Sequence, residues 1–198
     1  MKKIGTFAVF AMLSASALAQ TQTFTVGKGT QAQQIAQVES VTDFETFTGR
    51  TDKVTGTIKF DLSKRTGSGT LSIDAASLNT GIPLRDEHYR SETWLNTDKY
   101  KTMSFTTTEV KHVRGNEYDV TGKFTMHGVT KTIKTRVTVK HMKESTATKN
   151  AGFKGDVLQV KTSFKVKMSD FGVTIPAVAK SKVADTVTIS VTVYGQTG

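Results

Sequence analysis

Between Tyr118 and Lys140 the chain reads YDVTGKFTMHGVTKTIKTRVTVK, and the order of apolar and polar side chains there decides the fold class. Tyr118, Val120, Gly122, Phe124 and Met126 alternate with Asp119, Thr121, Lys123 and Thr125. Beyond His127-Gly128, Ile133, Thr135, Val137 and Val139 alternate with Lys134, Arg136, Thr138 and Lys140. Successive side chains of a strand point to opposite faces, so this period of two gives each strand one apolar and one wet face. His127-Gly128 has the composition of a hairpin connection. The stretch predicts two antiparallel strands with one buried side.

The same pattern extends in both directions. Val54, Gly56, Ile58, Phe60 and Leu62 form one apolar face, and Leu71, Ile73 and Ala75 form another. Toward the C-terminus follow Leu158, Val160, Thr162, Phe164, Val166 and Met168, then Val187, Ile189, Val191 and Val193. Gly67-Ser68-Gly69 and Arg114-Gly115-Asn116-Glu117 punctuate the runs as turns. Weaker strands near 22–26, 34–40 and 101–110 bring the number to about eight or nine, enough to close a barrel or stack a sandwich. The polar segment 145–155 reads as a long loop or a splayed hairpin end. One segment breaks the period: Pro83 opens a run in which Leu84, His88, Ser91 and Leu95 share a face at helical spacing. It predicts a helix of about three turns over 83–95, with Asp86 and Arg90 as an i,i+4 pair.

Composition agrees. The chain has 198 residues, among them 34 threonines and 20 valines, whose β-branched side chains suit strands better than helices. The absence of cysteine excludes a disulfide framework, a thiolate nucleophile and an Fe–S cluster. Met1-Lys2-Lys3, an uncharged apolar run from Ile4 and the closing Ala17-Leu18-Ala19 make the three-part pattern of a secretory leader. The expectation is a signal peptide over 1–19, one domain over 20–198, and a periplasmic or secreted mature protein. Removal of residues 1–19 takes two lysines and no acid with it, lowering the net charge from +10 to +8. In that compartment, and with no aromatics interleaved among the lysines as stacking platforms, the charge does not argue for nucleic acid.

Chemistry-bearing residues are sparse. His88, His112, His127 and His141 are dispersed, with no i,i+2 or i,i+4 pairing to suggest a metal site. His88 beside Asp86 could be read as an acid–base pair, but a satisfied histidine under the helix is the preferred reading. No serine sits in a nucleophile-elbow context. The expectation is a protein with no catalytic residues, no bound metal and no cofactor.

Ser77-Leu78-Asn79-Thr80 and Arg85-Asp86-Glu87-His88-Tyr89-Arg90-Ser91, continuing to Trp94-Leu95-Asn96, Tyr100 and Phe105, resemble the YceI-like family, exported bacterial proteins often described as polyisoprenoid-binding. The resemblance resumes at Gly122-Lys123-Phe124-Thr125-Met126-His127-Gly128-Val129-Thr130-Lys131 and again at Asp170-Phe171-Gly172 and Val183–Val187. Tyr89, Trp94 and Lys101 depart from the family's usual Leu, Phe and Pro, and Val38–Arg50 stands where the family has an early strand of apolar alternation ending in His. Such a change would reshape one wall or the mouth of a pocket.

The resemblance implies an eight-stranded antiparallel, lipocalin-like β-barrel with the 83–95 helix at one end and an apolar tunnel for a polyisoprenoid or similar long-chain amphiphile. Candidate lining residues are Leu84, His88, Trp94 and Leu95 from the helical segment, with Phe105, Phe124, Met126, Val137, Phe164 and Ile189 from strands. A barrel of this size either fills itself with side chains or holds one small ligand, and periodicity leaves both open. The filled alternative would be an envelope interaction module with a basic outer surface. Strand lysines pointing outward suit contact with an anionic membrane surface, and a homodimer is compatible with the pattern.

Overall fold

The computed structural model describes residues 21–28 and 33–198; the expected leader over 1–19 lies outside them. Among the described residues ten strands carry the fold: β1 (Thr21–Val26), β2 (Ile35–Val41), β3 (Thr46–Thr51), β4 (Val54–Asp61), β5 (Thr66–Asp74), β6 (Thr102–Arg114), β7 (Glu117–Met126), β8 (Val129–Met142), β9 (Val157–Lys167) and β10 (Thr186–Gln196). The helices are α1 (Pro83–Arg90) and α2 (Thr146–Asn150).

Every ladder is antiparallel. Eight strands follow one another in the order β1-β4-β5-β6-β7-β8-β9-β10, and β10 returns to β1 through Thr25 opposite Gln196 and Val26 opposite Gly195. The barrel therefore closes with eight strands, as the resemblance implies. The remaining two form a hairpin on the same seam. β2 pairs with the first half of β10, from Thr188 opposite Glu39 to Thr192 opposite Ile35, and β3 lies outside β2. β1 and β2 are thus two pieces of one edge. Gly27 follows the end of β1 with φ +85°, where a Cβ would also lie 2.9 Å from the Val54 carbonyl oxygen. Asn79 and Arg50 exchange two backbone hydrogen bonds of 2.9 Å, tying the free edge of β3 to the segment before α1.

The alternation read between Tyr118 and Lys140 is realised: Tyr118, Val120, Phe124, Met126, Val137 and Val139 are buried, and Lys134, Arg136 and Lys140 are exposed. Lys161, Lys165 and Lys167 also face solvent. One end of the barrel is plugged by Phe24 and Leu158, both fully buried, with Phe60 and Tyr118 packed edge to face at 5.6 Å.

Three expectations need correction. The helix ends at Arg90, not Leu95, because Ser91 turns extended (φ −62°, ψ 162°) while its hydroxyl and amide both donate to the His88 carbonyl. The Ser91 carbonyl then accepts from the amides of Trp94 and Asn96, which folds the chain back. Asp86 pairs with neither Arg90 nor His88: it is buried and accepts from the Thr80 amide at 2.9 Å and the Thr80 hydroxyl at 2.7 Å. Arg90 donates instead to the Ala76 carbonyl at 3.0 Å. Third, the segment 145–155 contains α2, opened by a reciprocal capping box between Ser145 and Thr148.

Candidate ligand cavity

Strands β4 to β10 each turn apolar side chains inward, and they do not fill the interior. Two cavities lie end to end. The inner one, of about 120 Å³, is lined among others by Ile58, Leu71, Phe105, Val137, Val160, Phe164 and Val191. The outer one, of about 390 Å³, lies beneath α1 and is bounded by β2, β3, residues 78–95 and residues 179–187. Ile73, Phe124 and Ile189 belong to the walls of both, so the cavities meet at one layer of the barrel.

Aromatic rings set the shape of that layer. Phe124 is 2% exposed and stands edge-on to Phe164 at 5.5 Å and to Phe171 at 5.6 Å. Phe105 lies against the bare backbone of Gly122, where a Cβ would sit 2.3 Å from its ring. Glycine at that inward position of β7 is what lets Phe105 lie along the wall.

Charged groups gather at one end, while the inner wall carries hydroxyls such as Ser104, Thr135 and Thr162. Among the described residues, Glu45, Arg85, His88 and Lys182 are the acidic or basic side chains in the wall of the outer cavity. Arg85 pairs with Glu45 and lies over the Phe47 ring, 4.1 Å from its centroid. This clamp fastens the β2–β3 hairpin to α1. Tyr89 is fixed from below by donating its hydroxyl to the carbonyls of Leu78 and Ala76. Burial pushes the Tyr89 hydroxyl pKa up, which keeps it a donor. In the inner cavity the titratable wall residue is Tyr118, whose pKa burial likewise raises.

All ten residues singled out from sequence line one cavity or the other. Leu84, His88, Trp94, Leu95 and Met126 border the outer one; Phe105, Val137 and Phe164 border the inner one; Phe124 and Ile189 touch both. His88 is exposed at the rim and not tucked under the helix. The sequence reading missed Val38, Phe47, Arg85, Tyr89, Met103 and Val183. Phe47 and Gly49 do alternate with Thr46 and Thr48, a short period-two signal for β3. Among the described residues, no group of three or more His, Asp or Glu side chains is arranged to hold a metal ion.

Comparison with known proteins gives the same architecture. The chain is 37% identical over 116 residues to a UPF0312 protein of Photorhabdus laumondii, spanning 58% of this chain and 56% of that one. It is 34% identical over 121 residues to Protein YceI of Shigella flexneri, spanning 60% and 59% of the two chains. The chain thus spans somewhat over half the length of these relatives. Among solved structures, BcnA of Burkholderia cenocepacia superposes with a TM-score of 0.71 at 25% identity, covering 84% of this chain and 99% of that one. A polyisoprenoid binding domain from Saccharophagus degradans, implicated in plant cell wall breakdown, superposes at 0.67 with 17% identity, covering 90% and 100%; at that identity the likeness is one of fold. The family model for the YceI-like domain matches residues 22–194, nearly the whole described barrel. The chain belongs to the YceI-like family.

Proposed function

We propose that the protein is exported, with cleavage after Ala19, and that its barrel carries or sequesters a polyisoprenoid or similar long-chain amphiphile without catalysing a reaction. The observation that carries this reading is the pair of apolar cavities meeting at Ile73, Phe124 and Ile189, with charged groups only at the outer end. A chain lipid gains about 0.8 kcal/mol for each methylene taken out of water, so a dry channel of this kind competes with a membrane for such a molecule. A polar head group fits the outer end, where Arg85, His88 and Lys182 meet solvent, and an apolar tail fits the inner one. The polyisoprenoid binding domain that shares the fold supports the same class of ligand. The cavities favour a carrier over a filled barrel acting only as an interaction module.

Trp94, the single tryptophan, lines the outer cavity and provides the test. Polyprenol delivered from cyclodextrin is expected to give a saturable blue shift of its emission and to co-elute with the protein on gel filtration. Neither a shift nor co-elution across a series of chain lengths would overturn the reading. Intact mass of the mature protein tests the export step, with Gln20 as the expected first residue.

A further inference from the structure

Large apolar side chains left in water are uncommon in clusters, and here they gather around the cavity mouth. The large hydrophobic residues with most exposure include Val178 at 90%, Phe44 at 74%, Leu84 at 60%, Val41 at 57% and Ile82 at 47%. They stand on three segments: the β2–β3 turn, the entry to α1, and the turn following Pro176. These segments form one rim. The Thr42 hydroxyl donates to the Ser181 carbonyl at 2.7 Å, the Lys182 ammonium lies 6.0 Å from the centroid of the Phe44 ring, and Arg85 clamps Glu45. Neighbours of the exposed tips, namely Phe47, Arg85, Ala179 and Lys182, line the outer cavity, so the rim encircles its opening.

We propose that this rim docks on the interfacial zone of an anionic phospholipid bilayer, with Phe44 and Val178 inserted among the headgroups and the cavity mouth facing the lipid. Three observations select a membrane over a protein partner. The tips sit on three separate segments whose residues also line the outer cavity. Lys180 and Lys182 follow Val178 in the chain and are exposed, and Lys182 lies over Phe44, a cationic–apolar mixture that suits lipid phosphate beside acyl chain. Asp43 and Glu87 are exposed acids on the same rim, so apolar insertion supplies the local grip. The net charge of +8 left after removal of residues 1–19 adds longer-range attraction to an anionic surface. The inference rests on the carrier reading for its purpose, since a docked mouth lets an apolar cargo pass between bilayer and barrel without crossing water. Docking itself is measured without any cargo.

The test is co-flotation of the full protein with vesicles of phosphatidylethanolamine and phosphatidylglycerol, alongside Phe44→Asp, Val178→Asp and, from the barrel's other end, Val113→Asp. The wild type and Val113→Asp are expected to float. Each rim variant should lose at least about tenfold in partitioning, the effect of removing one inserted large apolar side chain. Phe44 and Val178 are both well exposed, and circular dichroism checks that the variants stay folded. Polyprenol uptake from cyclodextrin, which needs no bilayer, should survive in the rim variants. A wild type that takes up polyprenol from cyclodextrin but does not float overturns docking and leaves the carrier reading standing. A wild type that floats but takes up no polyprenol does the reverse. A wild type that self-associates in solution, with Phe44→Asp restoring the monomer and no flotation in either, overturns docking in favour of a second copy on the rim.

Discussion

Replacing Phe124 by Ala strikes the aromatic ring that both cavities share. The ring is 2% exposed and makes edge-to-face contacts with Phe164 and Phe171. Truncating a buried Phe costs about 3–5 kcal/mol, as lost transfer free energy plus the cavity left behind. Two aromatic contacts of about 0.5–1.5 kcal/mol each fall within that total. Because part of the ring already faces open space, fewer partner atoms are lost than in a filled core, which places Phe124→Ala near about 3 kcal/mol. Urea unfolding should show this as a lower midpoint with an unchanged slope. The same substitution widens the junction between cavities, so bound-lipid analysis should show a shift toward bulkier or longer chains. A loss under about 1 kcal/mol would mean that the ring is not packed as described. A normal loss with unaltered chain-length preference would refute its place at the junction.

Asp86→Ala leaves the Thr80 amide and hydroxyl without their carboxyl acceptor, and should cost about 1–3 kcal/mol in urea unfolding. Arg85→Ala removes the clamp on the β2–β3 hairpin; both partners are partly exposed, so global stability should fall by only about 0.5–1 kcal/mol. Its larger effect should be faster amide hydrogen exchange over 42–47. The Lys64 amide hydrogen bond lowers the Asp61 pKa below 3.8, and the Glu144 amide does the same for Asp156. Folded pKa values that lie below the unfolded ones stabilise the protein above the unfolded value, and that contribution is lost as pH falls through the folded value. Thermal midpoints should therefore hold above about pH 5 and decline progressively below about pH 4, and a midpoint that rose on acidification would contradict the assignment.

Elements differ in how much of their geometry is written in local sequence. β7 and β8 were legible because one face is buried and one is wet, and Gly128 marks the turn between them. β1 and β2 were found, but their division of a single edge of β10 depends on pairing partners more than a hundred residues away, which no local period records. The end of α1 is hidden in the sequence because Leu95 continues the helical spacing, while the extended Ser91, its amide and hydroxyl both donating to the His88 carbonyl, ends the helix. Asp86 was read with its neighbours on the helix, whereas its partner Thr80 lies on the approach to it. The candidate lining residues followed from strand alternation and family motifs. Phe47 and Arg85 escaped because β3 was not recognised, and their contact exists only after the β2–β3 hairpin reaches α1. Whether a barrel is hollow depends on the summed volume of every inward side chain, a global quantity that periodicity does not contain.

Native mass spectrometry of the protein purified without detergent from its own cell envelope, followed by lipid extraction, tests the central claim most directly. A bound polyisoprenoid or other long-chain amphiphile, released on unfolding and taken up again when offered to the emptied barrel, is the predicted result. Protein that leaves the envelope lipid-free and binds none of the chain lipids offered to it would contradict the account.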